Sequence, residues 1–591
     1  MNRSTRIRLF ATLACGLVLS APLRPSTVVS DGPFERFAAE YLQAFYTAHP
    51  VRATKLGIHD HDSRLPDLSR AAIRRRVVEL REWLARLEQI DRDLLAEESY
   101  YDSRILDRAI RAELLELEEL RGWQHNPLLY NRLMADGVAS LVDRQFAPLE
   151  RRLSDLISRL DRFPALMRAA RKNLREVPAP WTELSLRNTR GHVKFLRDGV
   201  PAALRAQGLD RLDPRLVARW KTTHGRALKQ LGDFVRWLER DLEPRSTGDF
   251  RLGRELFERK LLYEEHVSKS VAELTRINEA AIRRYQEWVA RVAARLDPSR
   301  SVEQVMRSVT DQYPGPDELI SVARRNVQQA RDFVRERGIV TLPTDELPII
   351  RHTPEYAREG FASMSTPGPF ETVATEAYYN ITNVDPTWTD EQQRQHLTYF
   401  NYAGLLGISI HEAMPGHFVQ LLYQRLLPTD VRKVFAPSSL VEGWAHYVEQ
   451  MMIDEGFGDK DPAIRLGQLR RALQRHARWY AGVALHTGDV TVEQAAERFA
   501  EIAFFAPFPA QRETLRGTYN PTYLYYALGR MQILELREDY KRHVESRGDT
   551  FSLRDFHDRF LRLGLPISLA REVMLPDTGD GRSAVGNGED R

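Results

Sequence analysis

The residues best placed to do chemistry are a histidine followed at once by a glutamate, His411-Glu412, and a second histidine, His417. Zinc hydrolases use such a set to place two imidazole ligands and one base. In the common version the histidines stand four apart on a helix, so that both face one ion. Here they stand six apart. On an ideal helix that separates them by about 120°, so a straight helix would not bring them together. Pro415 and Gly416 lie between them and can break or tighten the turn. The expectation is therefore a helix bent back on an ion. Glu412 points about 100° away from His411, which suits a base that flanks the metal-bound water and does not ligate the metal.

A third ligand is expected downstream. Glu442 follows His417 by 25 residues, within the run Ser438-Ser439-Leu440-Val441-Glu442-Gly443-Trp444-Ala445-His446. Two imidazoles and one carboxylate leave a fourth position for water and lower its pKa to about 7. Two other readings of this run remain open. Ser439 and Glu442 also fit a capping box, in which the carboxylate returns to the backbone. His446, on the same face as Glu442, competes as a ligand or serves as a supporting or substrate contact. The ion expected is one zinc per chain, although His and carboxylate ligands also accept manganese, cobalt or iron.

The elements that must position these groups read as helices. Ile73, Val77, Leu80, Leu84 and Leu87 recur at helical spacing, as do Leu153, Leu156, Leu160 and Phe163, and such stripes face other helices. Thr389 with Gln392 starts the helix that leads to His411. Ile339–Leu342, Leu347–Arg351 and Ala377–Thr382 break the pattern with strand-favouring residues. The expected fold class is thus mostly α, with a small β element beside the metal site. On that element Tyr378, Tyr379 and Asn380 are read as an edge strand able to pair with an extended peptide, or as packed strand residues.

Composition bounds the alternatives. The 591 residues carry 86 basic and 82 acidic side chains, a formal net charge of only +4. No concentrated basic stripe is present, so a nucleic-acid partner is not expected. Arg3, Arg6 and Arg8 precede an apolar run, Leu9 to Leu19, which gives way to Ser20, Ala21 and Pro22. This pattern is that of a signal peptide over residues 1–21, and implies a periplasmic or secreted chain. No later segment is apolar and long enough to span a bilayer, so no stable membrane insertion is expected after cleavage. The single cysteine, Cys15, lies inside the apolar run, and Thr12 stands where a lipid-attachment signal has a branched apolar residue. A lipid anchor there is not expected. The mature chain then has no thiolate ligand or nucleophile, which leaves His and carboxylates. The polar tail 577–591 reads as disordered.

Three motifs in order resemble one family. Ile410-His411-Glu412-Ala413-Met414-Pro415-Gly416-His417, Glu442-Gly443-Trp444-Ala445 and Asn520-Pro521-Thr522-Tyr523-Leu524-Tyr525-Tyr526-Ala527-Leu528-Gly529-Arg530 look like the bacterial family catalogued as domain of unknown function 885. The resemblance implies a helical fold similar to angiotensin-converting enzyme and the thimet-type oligopeptidases. It implies a metal deep in a channel between two helical halves, here residues 22–250 and 251–576, and supports the spacing of six. By the same resemblance Tyr526, three residues before Gly529, is the match for a tyrosine that stabilises the oxyanion. Tyr523 is the next candidate to contact substrate, and the alternative for all three tyrosines is an aromatic core cluster. The expected function is an exported zinc peptidase acting on short peptides with Glu412 as general base. A metal-dependent amidase or esterase and a non-catalytic helical binding protein are the alternatives.

Overall fold

The computed structural model describes residues 32–354, 358 and 360–576. The signal segment 1–21, with Cys15, and the tail 577–591 lie outside the described residues. The fold is mostly helical with one small sheet. In chain order, the helices that frame the site are α1 (Gly32–Ala48), α2 (Glu97–Leu115), α3 (Arg254–Glu265), α4 (Asp390–Tyr399), α5 (Tyr402–Glu412), α6 (His417–Arg425), α7 (Ser438–Asp454), α8 (Pro462–Thr487), α9 (Pro507–Tyr519) and α10 (Tyr525–Ser546). The described helices include none long and apolar enough to cross a membrane.

The apolar stripes seen in the sequence face the interior. Leu80 and Leu87 are fully buried, as are Leu153, Leu156, Leu160 and Phe163. The largest hydrophobic core joins distant parts of the chain. It mixes Phe34 to Ile110 with residues from Leu319 to Leu575, while a second core is drawn mainly from Val51 to Leu242.

Thr389 and Gln392 form the expected capping box at the start of α4. The single bent helix expected from Thr389 to His417 is instead three helices. The first break is at Phe400–Asn401, where the Asn401 side chain accepts from the Gly404 amide at 2.9 Å and so caps a new helix, α5. The second break, between His411 and His417, belongs to the site.

The sheet also departs from expectation. Its strands are β1 (Ile349–His352), β2 (Ala362–Ser365) and β3 (Tyr378–Ile381), in the order β1-β3-β2. Strand β3 is therefore central. It pairs parallel with β1 (Ile349 opposite Tyr378) and antiparallel with β2 (Ser365 opposite Tyr378). Strand β2 escaped the sequence reading because Ala-Ser-Met-Ser carries little strand signal. Ile339–Leu342 forms no strand; Ile339 and Val340 are buried in the core as irregular chain.

One buried ion pair ties the two ends of the largest core together. Arg432, 1% exposed, donates through Nε to Asp102 of α2 at 2.8 Å and through Nη1 to the Leu563 carbonyl at 3.1 Å. Removing one partner strands the other in a dry interior, at a cost of about 3–5 kcal/mol. Arg432→Leu should lose that much stability in denaturant unfolding. A loss near zero would show that the pair does not hold these segments together.

Candidate metal centre

Helix α5 is almost wholly buried and delivers His411 and Glu412 at its last two positions. The chain then reverses through Ala413–Gly416, with a cis Met414–Pro415 peptide. Gly416 is required by a close approach: a Cβ there would lie 1.8 Å from the His411 carbonyl oxygen. Trp444 of α7 donates from Nε1 to the Pro415 carbonyl at 2.9 Å and fixes the turn from the other side. Helix α6 starts at His417 immediately after the turn. The six-residue spacing is thus met by a helix end, a tight reversal and a new helix. The two imidazoles stand 4.7 Å apart between centroids, at 85° to each other.

Glu442, on the first turns of α7, completes the group. Its Oε2 is 3.5 Å from His411 Nε2 and 3.4 Å from His417 Nε2, and one ligand atom from each residue lies within 4.8 Å of the others. Zinc bonds of about 2.0–2.1 Å in tetrahedral geometry put ligand atoms about 3.3–3.4 Å apart, so the set fits such an ion. Glu442 Oε2 is also buried without a hydrogen-bond partner, as an oxygen reserved for a cation would be. The capping-box reading of Glu442 is not what the structure shows. The Ser439 amide is satisfied at 2.7 Å by Glu265 from the end of α3, which leaves Glu442 free to turn toward the histidines.

Electrostatics favour a cation at this point. Burial alone would lower the His411 imidazole, yet Glu442 and Glu449 outweigh it and raise it to about 9. Burial opposes ionisation of Glu442, but the facing His417 and His411 hold its carboxyl well below the usual range. Glu412 follows His411 at the last position of α5 and is buried, and its charge acts on His411, Arg471 and Tyr379. Glu412 itself is not among the three grouped ligands.

Glu449 was not singled out by the sequence reading. It accepts from His411 Nδ1 at 2.7 Å and from Arg471 Nε and Nη2 at 2.7 and 2.8 Å, and it is fully buried. This bond fixes the His411 tautomer with the proton on Nδ1 and turns Nε2 toward Glu442. A signal was present: Glu449 follows Glu442 by seven residues, two helical turns on the same face.

His446 lies one turn from Glu442 and is not among the three grouped ligands. It is fully buried, with Nδ1 3.4 Å from Glu449 and Nε2 3.5 Å from Arg530. Burial keeps it neutral. Its Nδ1 is buried without a hydrogen-bond partner.

The strand residues are also displaced from their expected role. Both sides of β3 are paired, so Tyr378, Tyr379 and Asn380 offer no free edge to a peptide. Tyr379 is buried with its hydroxyl 3.4 Å from Ser409, Asn380 accepts from Arg351 at 2.8 Å, and the Tyr378 ring lies 3.7 Å beneath the Arg351 guanidinium. Tyr523 is core: it is fully buried and donates to the Glu513 carbonyl at 3.1 Å.

Tyr526 is different. It keeps 7% exposure, and burial first, then Glu442, raises its pKa. Its hydroxyl oxygen accepts from Arg516 Nη2 at 3.1 Å, so the hydroxyl hydrogen stays available. Its place follows from two glycines. A Cβ on Gly443 would lie 2.7 Å from Gly529, and one on Gly529 would lie 2.1 Å from the Ser439 carbonyl oxygen. Helices α7 and α10 therefore touch backbone to backbone, with Glu442 next to one glycine in the chain and Tyr526 three residues before the other. Tyr525, next in sequence, also feels the Glu442 charge.

A helical protein with a two-histidine, one-glutamate cluster at the end of a buried helix is the class that fold and site define. The chain belongs to the bacterial family of unknown function DUF885, whose model matches residues 50–574. A "putative lipoprotein of unknown function" from Shewanella oneidensis has a similar structure, with a TM-score of 0.76 and 26% identity over 92% of this chain and 99% of that one. A "putative lipoprotein" from Colwellia psychrerythraea shares the fold at a TM-score of 0.74 and 19% identity, over 93% of this chain and 99% of that one. No curated protein matches the chain.

Metal titration of single variants should rank these roles. Glu442→Ala should abolish tight binding, whereas Glu449→Gln should weaken it about 10–100-fold, as losses of a ligand's supporting partner do. His446→Gln should leave affinity within a fewfold of the parent. Loss of binding in His446→Gln with binding retained in Glu442→Ala would reverse the assignment.

Proposed function

We propose that this chain is an exported, zinc-dependent peptidase that hydrolyses short peptides. The observation that carries the reading is the convergence of His411, His417 and Glu442 within 4.8 Å, with Glu412 adjoining. A structural zinc site is closed by a fourth protein ligand, and a catalytic one keeps a position open. The described residues group only three ligands at this point, which favours catalysis over a purely binding role. The order His-Glu, His, Glu is the basis of the likeness to the helical oligopeptidases. The ligands are recessed, with side-chain exposures of 7% for His411, 11% for His417 and 25% for Glu442. Such a centre suits a flexible peptide better than the surface of a folded protein.

A bound zinc ion supplies an acidified water and a polarising charge at the scissile carbonyl. The chain's own residues do the rest. Glu412 takes the proton from the attacking water and returns it to the leaving amine. Glu449 holds His411 in one tautomer and orientation. The Tyr526 hydroxyl, its oxygen already engaged by Arg516, donates its hydrogen to the oxyanion that forms as the carbonyl is attacked. An amidase or ester hydrolase would use the same groups, and a peptide-library digest read by mass spectrometry separates these readings by showing which bonds break.

Export rests on the N-terminal pattern. The description of two similar structures as lipoproteins brings in lipid attachment through Cys15 as a second reading. The mass of the mature chain decides between a cleaved, unmodified product and an acylated one.

Glu412→Gln should retain bound metal and lose about 10²–10⁴ in turnover. Tyr526→Phe should keep substrate affinity and lose about 10²–10³ in turnover. Full turnover in Glu412→Gln would falsify the mechanism, and full turnover in Tyr526→Phe would make that tyrosine structural.

A further inference from the structure

A guanidinium keeps its charge at any physiological pH, so a buried one without an anion is a standing cost to the fold. Helix α8 carries Arg471, Arg475 and Arg478 on one face, at helical spacing, and Arg516 faces them from α9. Two of the four are neutralised. Arg471 is paired with Glu449, and Arg478 makes two bonds to Glu513 at 2.8 and 3.0 Å. The other two make no ion pair among the described residues.

Arg475 is 4% exposed. Its recorded bonds are from Nη1 to Gln474 Oε1 at 2.8 Å and to the Arg471 carbonyl at 3.4 Å, and its Nε is buried with no partner. Burial, then the charge of Arg471, pushes its pKa down to about 10. Arg516 is half-buried and spends one N–H on the Tyr526 hydroxyl. Both guanidinium carbons lie near the Tyr526 ring, at 6.0 Å for Arg475 and 5.8 Å for Arg516. Two guanidinium groups without an ion-pair partner among the described residues thus flank Tyr526, and the carboxylate of Glu513, whose charge reaches both, is already bonded to Arg478. The carboxylates of Glu442 and Glu412 would offset a zinc ion's charge, so they are not left over for these two arginines, which lack an anion of their own.

We propose that Arg516, backed by the unpaired Arg475, receives a carboxylate of the substrate beside Tyr526, so that cleavage falls close to a free C-terminus or to an acidic side chain. This inference rests on the peptidase reading of the metal centre. A planar guanidinium binds a carboxylate through two parallel N–H bonds. The remaining N–H groups of Arg516 are free for this while one holds the tyrosine. Arg475, behind the ring, supplies field more than contact.

The test uses full-length Glu412→Gln protein loaded with zinc, which binds without turnover, and three probes in calorimetry. They are pentaalanine, pentaalanine amide, and the same amide carrying one glutamate. Pentaalanine should bind about 10–100-fold more tightly than its amide, the range for hydrogen bonds to a charged group. Adding Arg516→Gln should bring that ratio near one, and adding Arg475→Gln should narrow it fewfold. Displacement of Tyr526 in the Arg516 variant would weaken acid and amide alike, so the ratio isolates recognition from positioning. The acid-to-amide ratio with both arginines intact needs no further variant to fold. If the glutamate-bearing amide regains the affinity of the acid, the carboxylate read is a side chain's; if it does not, it is the C-terminus. Equal binding of acid and amide, absence of binding to either, or a ratio that survives Arg516→Gln would each overturn the proposal. Hydrolysis by the enzyme with Glu412 intact is scored separately. Cleavage of acid and amide at equal rates keeps the peptidase and removes the carboxylate site. Selective binding with no hydrolysis of any peptide removes the peptidase and keeps the site.

Discussion

The carboxylate of Glu449 sits where helices α5, α7 and α8 meet, with no water to share its charge. Burial would neutralise it, and Arg471, with the hydrogen bond from His411, keeps it ionised. Ionised, it has two jobs that cannot be separated: it binds the guanidinium that α8 brings into the interior, and it orients the imidazole that α5 presents. Without it Arg471 would be an uncompensated charge and His411 could turn its ring or shift its proton. The geometry of the proposed metal centre is in this sense set by an interaction outside the ligand group, as it is in other metal sites whose ligands are held by carboxylates.

Helix α7 is the common support. Along a single helix it offers Ser439 to Glu265, Glu442 to the histidines, Gly443 to the backbone of α10, Trp444 to the Pro415 carbonyl and Glu449 to His411 and Arg471. These contacts use different faces of the helix, so little of it is left for solvent. A rigid rod fixed at so many points can hold a carboxylate within the few tenths of an ångström that a small cation demands. The glycine contact also explains why a tyrosine from the C-terminal region reaches the centre at all, since any side chain at Gly443 or Gly529 would push α10 away.

Residue types and spacing indicated which side chains come together better than how the elements connect. His411, Glu412, His417 and Glu442 could be named from the chain, because ligand chemistry restricts the choice to a few residue types. The helical class was legible because apolar stripes such as Leu153 to Phe163 repeat regularly. The bent helix between the histidines was read as one element because nothing local shows that Gly416 must lie against the His411 carbonyl. Strand β3 was read as an edge because pairing partners are set by packing across the sheet, and the weak strand β2 is invisible in composition. Tyr523 and Tyr526 are three residues apart in one aromatic run, and only tertiary packing decides that one bonds the Glu513 carbonyl in the core and the other lies among Arg475, Arg478 and Arg516. Glu449 was within reach: a second acid two turns beyond a ligand, on the same face, is a pattern that can be sought.

The largest core joins residues 34–110 to residues 319–575. In a chain emerging from the ribosome its first helices can pack on one another, as Phe37 and Tyr41 do on Trp83, but the partners that complete their core come only when most of the sequence has been made. Contacts so far apart are slow to form and late to close. For a chain exported as an extended thread, that delay would be useful: it would keep the leading segment open during transport and leave closure of the candidate metal site to the far side.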